Sequence, residues 1–108
     1  MRGLAHSDLA MLARRLLGLP EATWEGTVRQ MLDRAHTADL YRKRTGRAHP
    51  LWGNGSLSAA VMAQGWVPPE PFLSDRRYIA ALGTAAMLRA RVPAVSGVWT
   101  LTRYGQGP

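Results

Sequence analysis

Apolar side chains recur at helical spacing in the first 45 residues of the chain. Leu9, Leu12 and Leu16 are three and four positions apart, which places them on one face of an α-helix over about residues 7–18. A longer pattern follows, with spacings of four, three, four and three, and ends near residue 44. Its members are Trp24, Val28, Met31, Ala35 and Ala38. This seam predicts a second helix with a face like that of a coiled coil.

A very short connection separates these two helices. Ser7 is a suitable N-cap for the first helix, and Pro20 suits the first turn of the second. Because so short a loop favours antiparallel packing, the pattern predicts a helical hairpin over residues 7–45. One short partner helix cannot cover the longer seam, so we expect a homo-oligomer, with a ring as one candidate form. The predicted oligomerisation residues are Leu9, Leu12, Leu16, Trp24, Val28 and Met31.

The second half of the chain predicts two further helices. Ser56 can cap a short helix over residues 57–64, and Ser74 can cap a longer helix over residues 75–91. Three prolines between them favour an extended, proline-rich linker. The sequence therefore predicts an all-α fold, built from the hairpin, two further helices and this linker.

Residues 93–108 are predicted to form an extended tail, which leaves residues 1–92 as a single helical domain. The tail alternates apolar and polar residues weakly and cannot build a sheet by itself. Two alternatives stay open: it is a flap that covers the helices, or a peptide that binds a partner, by strand addition for instance. The predicted partner-binding residues are Val98, Trp99, Leu101 and Tyr104.

A dense group of cations and turn residues occupies residues 41–57, which we call the basic block. The cations of residues 42–44 fall in the last turn of the second helix, where positive charge suits the helix dipole. Gly46 can end that helix in the left-handed conformation, and residues 53–55 predict a tight turn. The exposed N–H groups of the next helix then predict an anion site, with phosphate as the anion best served.

The net charge of +7 lies in the basic block and beyond it. Residues 1–40 hold five arginines and five carboxylates, so the positive excess begins after them. Such a distribution indicates a polyanionic partner, and nucleic acid is favoured over a membrane because no long basic amphipathic face is present. The predicted DNA-binding residues are Arg42, Lys43, Arg44, Arg47, His49, Trp52 and Asn54.

A plainer interpretation of the basic block stays open. Its cations can be a solvated helix end, Trp52 can belong to the core, and the glycines can serve turn geometry alone. Thirteen arginines beside a single lysine would also follow from GC-rich coding. Charge alone therefore does not decide between a nucleic-acid surface and an ordinary exposed helix end.

Features of catalytic or metal-binding proteins are scarce. The chain has no cysteine, which removes disulfides and thiolate ligands and suits a reducing cytoplasm. His6, His36 and His49 lack the spacing of zinc enzymes, and no Walker-type phosphate loop is present. Asp33, His36 and Asp39 share a helix and are interpreted as a solvated face rather than a metal site. We expect a cytoplasmic protein without enzyme activity, metal, cofactor, signal peptide or membrane span.

One family resemblance rests on specific residues. The sequence Tyr41-Arg-Lys-Arg-Thr-Gly-Arg-Ala-His-Pro-Leu-Trp-Gly-Asn-Gly-Ser-Leu57, followed by Glu70-Pro-Phe-Leu-Ser-Asp75 and Tyr78, resembles a family of short alphaproteobacterial proteins. The resemblance covers roughly residues 5–90. We identify this family as one that includes the small terminase-like protein encoded first in gene transfer agent clusters, which are domesticated tailed-phage particles.

The resemblance implies a function in DNA packaging. Small terminases generally form helical rings, engage DNA and recruit the large terminase motor. This chain departs from the commoner pattern because no clear helix-turn-helix precedes the hairpin, which puts sequence-specific recognition in doubt. A particle that packages host DNA almost indiscriminately would need little of it.

We therefore expect a DNA-packaging adaptor that binds double-stranded DNA with little sequence specificity and recruits the large terminase subunit. Repetition around a ring would make a few phosphate contacts per chain cumulative. One alternative is a small enzyme subunit, for which the sequence offers only His49 with neighbouring arginines. The other is a small helical regulatory or protein-interaction adaptor that does not bind DNA. Such a protein would use the region of Trp52 and Trp66 as a protein-binding groove.

Overall fold

The computed structural model describes residues 4–91, with only the backbone of residue 91. Four α-helices account for most of this range: α1, His6–Leu17; α2, Trp24–Thr45; α3, Leu57–Met62; and α4, Arg76–Arg91. A single 3₁₀ turn, Glu21–Thr23, joins α1 to α2. The described part of the chain contains no strand, and the prediction of an all-α fold is confirmed.

The packing of α1 and α2 differs from the predicted hairpin. Both helices pack chiefly against α3 and α4, and they touch each other over only a small area. Leu12 and Leu16 of α1, Val28 and Met31 of α2, and Tyr78 of α4 belong to one buried core. A helical seam predicts that a face is covered, but it does not specify which element covers it.

The predicted oligomerisation residues are the centre of this core. Leu12, Leu16, Trp24, Val28 and Met31 are each 4% exposed or less within a single chain. Leu9 is half-buried and packs against the same cluster. The prediction that these side chains face a second copy is wrong, because α3 and α4 already cover the seams.

Carboxylates cap two of the helices in place of the predicted serines. The backbone N–H of Ala5, the residue before α1, donates to the Asp8 carboxylate at 2.9 Å. At the start of α4, the N–H of Tyr78 donates to Asp75 Oδ1, also at 2.9 Å. Ser7 is not a cap because α1 begins one residue earlier, with Ala5 at the N-cap position. Asp75 takes the capping position expected of Ser74, and aspartate serves there as well as serine.

Two other predicted helix ends are confirmed. Gly46 ends α2 with a φ of 74°, in the left-handed region that glycine adopts without strain. Ser56 caps α3, and its hydroxyl oxygen accepts from the N–H of Ala59 at 3.1 Å. The helix that follows ends at Met62, two residues earlier than predicted.

The proline-rich linker between α3 and α4 is attached to the helices at two points. Arg14 of α1 donates through Nε to the carbonyl oxygen of Pro68 at 2.7 Å. The hydroxyl of the fully buried Tyr78 donates to Glu70 Oε2 at 2.7 Å. Burial, followed by the hydrogen bond and charge of Glu70, raises the pKa of Tyr78 to about 12. Two residues on which the family resemblance rests, Glu70 and Tyr78, thus hold the linker against α4.

The predicted tail lies outside the described residues. This applies to its partner-binding residues, which are Val98, Trp99, Leu101 and Tyr104.

Candidate nucleic-acid interface

The four cations of the basic block gather at one end of α2. Arg42, Lys43 and Arg44 occupy its last turn, and Arg47 follows the glycine that ends the helix. The N–H of Gly46 donates to the carbonyl oxygen of Arg42 at 2.7 Å. This close turn keeps Arg47 near the helix end, as the sequence predicts.

The buried Asp39 engages two of these cations. Its Oδ1 lies 3.4 Å from a guanidinium nitrogen of Arg42, and its Oδ2 lies 3.0 Å from Lys43 Nζ. Burial raises the pKa of the Asp39 carboxyl, but hydrogen bonding and charge, including those of Lys43, lower it by more. The carboxylate is therefore ionised at neutral pH and offsets part of the charge of Arg42 and Lys43.

Arg44 and Arg47 differ from that pair. Both are exposed, and neither forms an ion pair with a carboxylate in the part of the chain that the structure describes. They are therefore the cations of the basic block most available to an external anion.

The residues that follow Arg47 form a loop, which is closed by hydrogen bonds between His49 and Gly53. His49 and Gly53 exchange backbone hydrogen bonds, with N···O distances of 2.8 and 3.1 Å. His49 Nδ1 accepts from the backbone nitrogens of Leu51 and Trp52, at 3.0 and 3.2 Å. His49 is in this way built into the loop.

The aromatic rings of this region contact one another. Trp52 stacks on His49 with a centroid distance of 4.7 Å and an interplanar angle of 3°. Tyr41 meets the His49 ring edge-on at 5.1 Å, and the guanidinium of Arg34 lies 5.5 Å from the Trp52 ring. Trp52 is half-buried by these contacts. The rings tie the loop to α2.

Gly55 lets the loop lie directly against α2. Its φ is 99°, and a Cβ at this position would lie 2.8 Å from the Cα of Asp39. Asn54 completes the turn, since its side-chain oxygen accepts from the N–H of Ser56 at 3.1 Å. Of the predicted DNA-binding residues, His49, Trp52 and Asn54 thus have defined roles in building the loop.

The predicted anion site at the start of α3 is already filled from within the chain. Asp8 Oδ1 accepts from the backbone nitrogen of Ser58 at 3.0 Å and from its hydroxyl at 2.7 Å. The next N–H, of Ala59, is bonded to Ser56. The prediction of a phosphate site here is wrong, because a carboxylate of α1 supplies the negative charge that a helix N-terminus favours.

Sequence reasoning missed the residues that shape this surface from outside the basic block. Asp39 had a detectable signal, because Arg42 and Lys43 follow it at the three- and four-residue spacings of helical ion pairs. Asp8 had none, because 50 residues separate it from Ser58. His36 and Asp39 are buried, which corrects the prediction that they lie on a solvated face.

Neither a metal site nor a membrane-spanning helix is found within residues 4–91. No group of histidine and carboxylate side chains there is arranged to hold a metal ion. None of the helices in the same range has the length and apolar character needed to cross a membrane.

Comparison with known proteins gives one match. A family described as "Domain of unknown function (DUF7742)" matches residues 2–90. No curated protein and no solved structure matches the chain.

Proposed function

The chain belongs to the DUF7742 family, whose description assigns no activity. From the exposed cations of its basic block, together with the resemblance to small terminase-like proteins, we propose a non-enzymatic DNA-packaging adaptor. In this role it binds double-stranded DNA through phosphates, with little sequence specificity, and recruits the large terminase subunit. The observation that carries the proposal is the exposure of Arg44 and Arg47 on a firmly held helix end. Both guanidinium groups reach solvent without a carboxylate partner in the described region.

The surroundings of these arginines suit a phosphate backbone. Arg42 and Lys43 add positive charge beside them, although Asp39 offsets part of it. Arginine matches phosphate geometry because its planar fork donates two parallel hydrogen bonds. Contacts of this kind fix a duplex in place without distinguishing its bases.

The aromatic contacts favour double-stranded over single-stranded DNA. Proteins that bind single strands stack successive bases on open aromatic rings. Here His49 occupies one face of Trp52, and the Arg34 guanidinium also lies against that ring. A duplex needs no such platform, because its phosphates alone supply nonspecific binding.

A homo-oligomer, with a ring as one form, remains part of this proposal. Few phosphate contacts per chain give weak binding, and several chains on one duplex would add their contacts. Since the core residues of α1 and α2 are covered, a second copy would have to contact other surfaces. Large exposed apolar side chains are available for this purpose, among them Leu51, Met62 and Ile79.

A second candidate function is a protein-interaction adaptor without DNA binding. The observation that favours it is the exposure of two aromatic side chains at the ends of the proline-rich linker. Trp66 is 75% exposed and Phe72 is 87% exposed. Exposed apolar surface of this kind often marks a site for another protein.

Binding measurements with three oligonucleotides test the first proposal and separate it from the second. Two duplexes of unrelated sequence and one single strand of the same length are titrated with the full chain at increasing salt. We expect similar affinities for both duplexes, weaker binding to the single strand and a steep loss of all binding with salt. No binding even at low salt would leave the protein-interaction adaptor as the supported function.

A further inference from the structure

An open groove of about 510 Å³ lies between the start of α2 and the second half of α4. Trp24 and Leu88 line it from the core, and each is 4% exposed. Met87 forms part of its wall and is 59% exposed. Gly83 leaves a gap in the wall, because a Cβ there would have no atom within 4 Å. The groove is therefore a recess with an apolar wall and room for further side chains.

The charged groups at the groove are carboxylates. Glu21 and Glu25 line it, and each forms an exposed ion pair with an arginine, Arg77 and Arg29 respectively. Exposed pairs of this kind contribute little to stability. Because each carboxylate already has a cationic partner, the apolar wall is the feature that selects an occupant, and the groove suits an apolar segment.

We infer that the groove is the binding site of the chain's own C-terminal segment, residues 92–108. This segment contains six large apolar residues and a single charged side chain, Arg103. The apolar residues are Val92, Val95, Val98, Trp99, Leu101 and Tyr104. Its apolar composition therefore complements the apolar wall of the groove.

Chain length brings the segment to the groove without strain. Leu88, a lining residue, is three positions before the end of α4, which is about 5 Å along the helix axis. The lining residues of α4 run from Ala80 to Leu88, a distance of about 12 Å. About four extended residues cover that distance, so a reversal near Pro93 would carry Val95 to Trp99 along the groove.

Binding within the chain has a consequence for recruitment. A protein that takes up the C-terminal segment would first have to displace it from the groove. The inference does not depend on DNA binding, because the groove and the basic block share no residues.

A spin label tests the inference in the full chain. The sequence has no cysteine, so Thr100→Cys gives a single attachment site for a nitroxide. We expect the label to broaden the amide signals of Ala80 and Thr84 in the ¹⁵N-labelled protein. The broadening should persist when the sample is diluted with unlabelled chains, because the contact is intramolecular.

Two matched glycine variants identify the groove as the binding site. Gly83→Leu fills the recess, whereas Gly26→Leu places the same side chain in open space on α2. Both sites are helical and unobstructed, so both variants should keep or slightly raise the melting temperature. Broadening of Ala80 and Thr84 should be lost in Gly83→Leu and retained in Gly26→Leu.

Three results would overturn the inference. The first is the absence of broadening at Ala80 and Thr84 in the labelled wild-type background. The second is broadening that occurs only between spin-labelled chains and separate ¹⁵N-labelled chains, which would make a second copy the occupant. The third is equal broadening in Gly83→Leu and Gly26→Leu, which would place the segment elsewhere.

Discussion

Asp8 and Ser58 join the start of α1 to the start of α3. The Asp8 carboxylate accepts from the Ser58 backbone nitrogen at 3.0 Å and from its hydroxyl at 2.7 Å. The same carboxylate also accepts from the N–H of Ala5. One buried side chain thus satisfies backbone donors at two helix starts.

We predict that Asp8→Ala lowers the free energy of unfolding by about 2–3 kcal/mol, because it leaves donors at both helix starts without their acceptor. Asp8→Asn keeps an acceptor and should lose less. Glu25→Ala serves as the control, because its exposed pair with Arg29 contributes at most about 1 kcal/mol. Urea unfolding measures all three, and equal losses for Asp8→Ala and Glu25→Ala would contradict the role of Asp8.

The contact between Gly55 and Asp39 gives a second prediction. Gly55→Ala should cost at least about 3 kcal/mol, because the new Cβ combines a positive φ with a clash against the α2 backbone. Gly46→Ala shares the positive φ but meets no atom within 4 Å, so it should cost only about 1–2 kcal/mol. Thermal unfolding of the two variants compares them directly. A Gly55→Ala protein as stable as Gly46→Ala would show that the loop does not lie against Asp39.

The third prediction concerns the hydrogen bond between Tyr78 and Glu70. The pKa of Tyr78 is raised from about 10 to about 12, so the neutral hydroxyl is favoured in the folded state. Its contribution to stability is therefore complete below about pH 10 and is lost as the pH rises towards 12. Tyr78→Phe should be about 1 kcal/mol less stable at pH 7 and should lose less stability across that alkaline range.

Unfolding of wild type and Tyr78→Phe at matched pH values isolates this contribution, because the other titrating groups are common to both proteins. Ultraviolet absorbance of tyrosinate follows the ionisation itself. A Tyr78 that ionises near pH 10 in the folded protein would contradict a buried bond to Glu70.

The helices are largely predictable from the sequence because their signals are local. The periodic seams of α1 and α2 and the caps at Gly46 and Ser56 each depend on a few neighbouring residues. What covers the seams depends on contacts between distant segments, and periodicity carries no information about them. This is why Trp24 and Met31 suggest an oligomer surface in the sequence and are buried in the structure.

In the candidate site, too, features with a local sequence signal are predictable and features that depend on distant contacts are not. Arg44 and Arg47 are found from charge density alone, and both are exposed in the structure. The anion site at α3 fails because Asp8, 50 residues from Ser58, already fills it. The loop-building role of His49 depends on its ring nitrogen accepting two backbone bonds, and no spacing rule signals that geometry.

The proposed homo-oligomer gives a fourth prediction. Light scattering of the full chain at micromolar concentration should report a multiple of the 11.9 kDa chain mass. Because Met31 is buried, Met31→Ala should lower stability by about 2–5 kcal/mol. It should leave the mass of the remaining folded protein unchanged. A mass of one chain at every concentration would remove the ring from the proposal.

The central claim is that Arg44 and Arg47 bind DNA phosphates, and the salt dependence of duplex binding tests it most directly. The double variant Arg44→Gln/Arg47→Gln is compared with Arg29→Gln/Arg76→Gln, which removes the same charge from exposed arginines elsewhere. Each lost phosphate contact should reduce the slope of log affinity against log salt by about 0.9. We predict a reduction of about 1.8 per chain for Arg44→Gln/Arg47→Gln and a much smaller change for the control. Equal slopes in the two variants, or an Arg44→Gln/Arg47→Gln protein that binds as the wild type does, would contradict the claim.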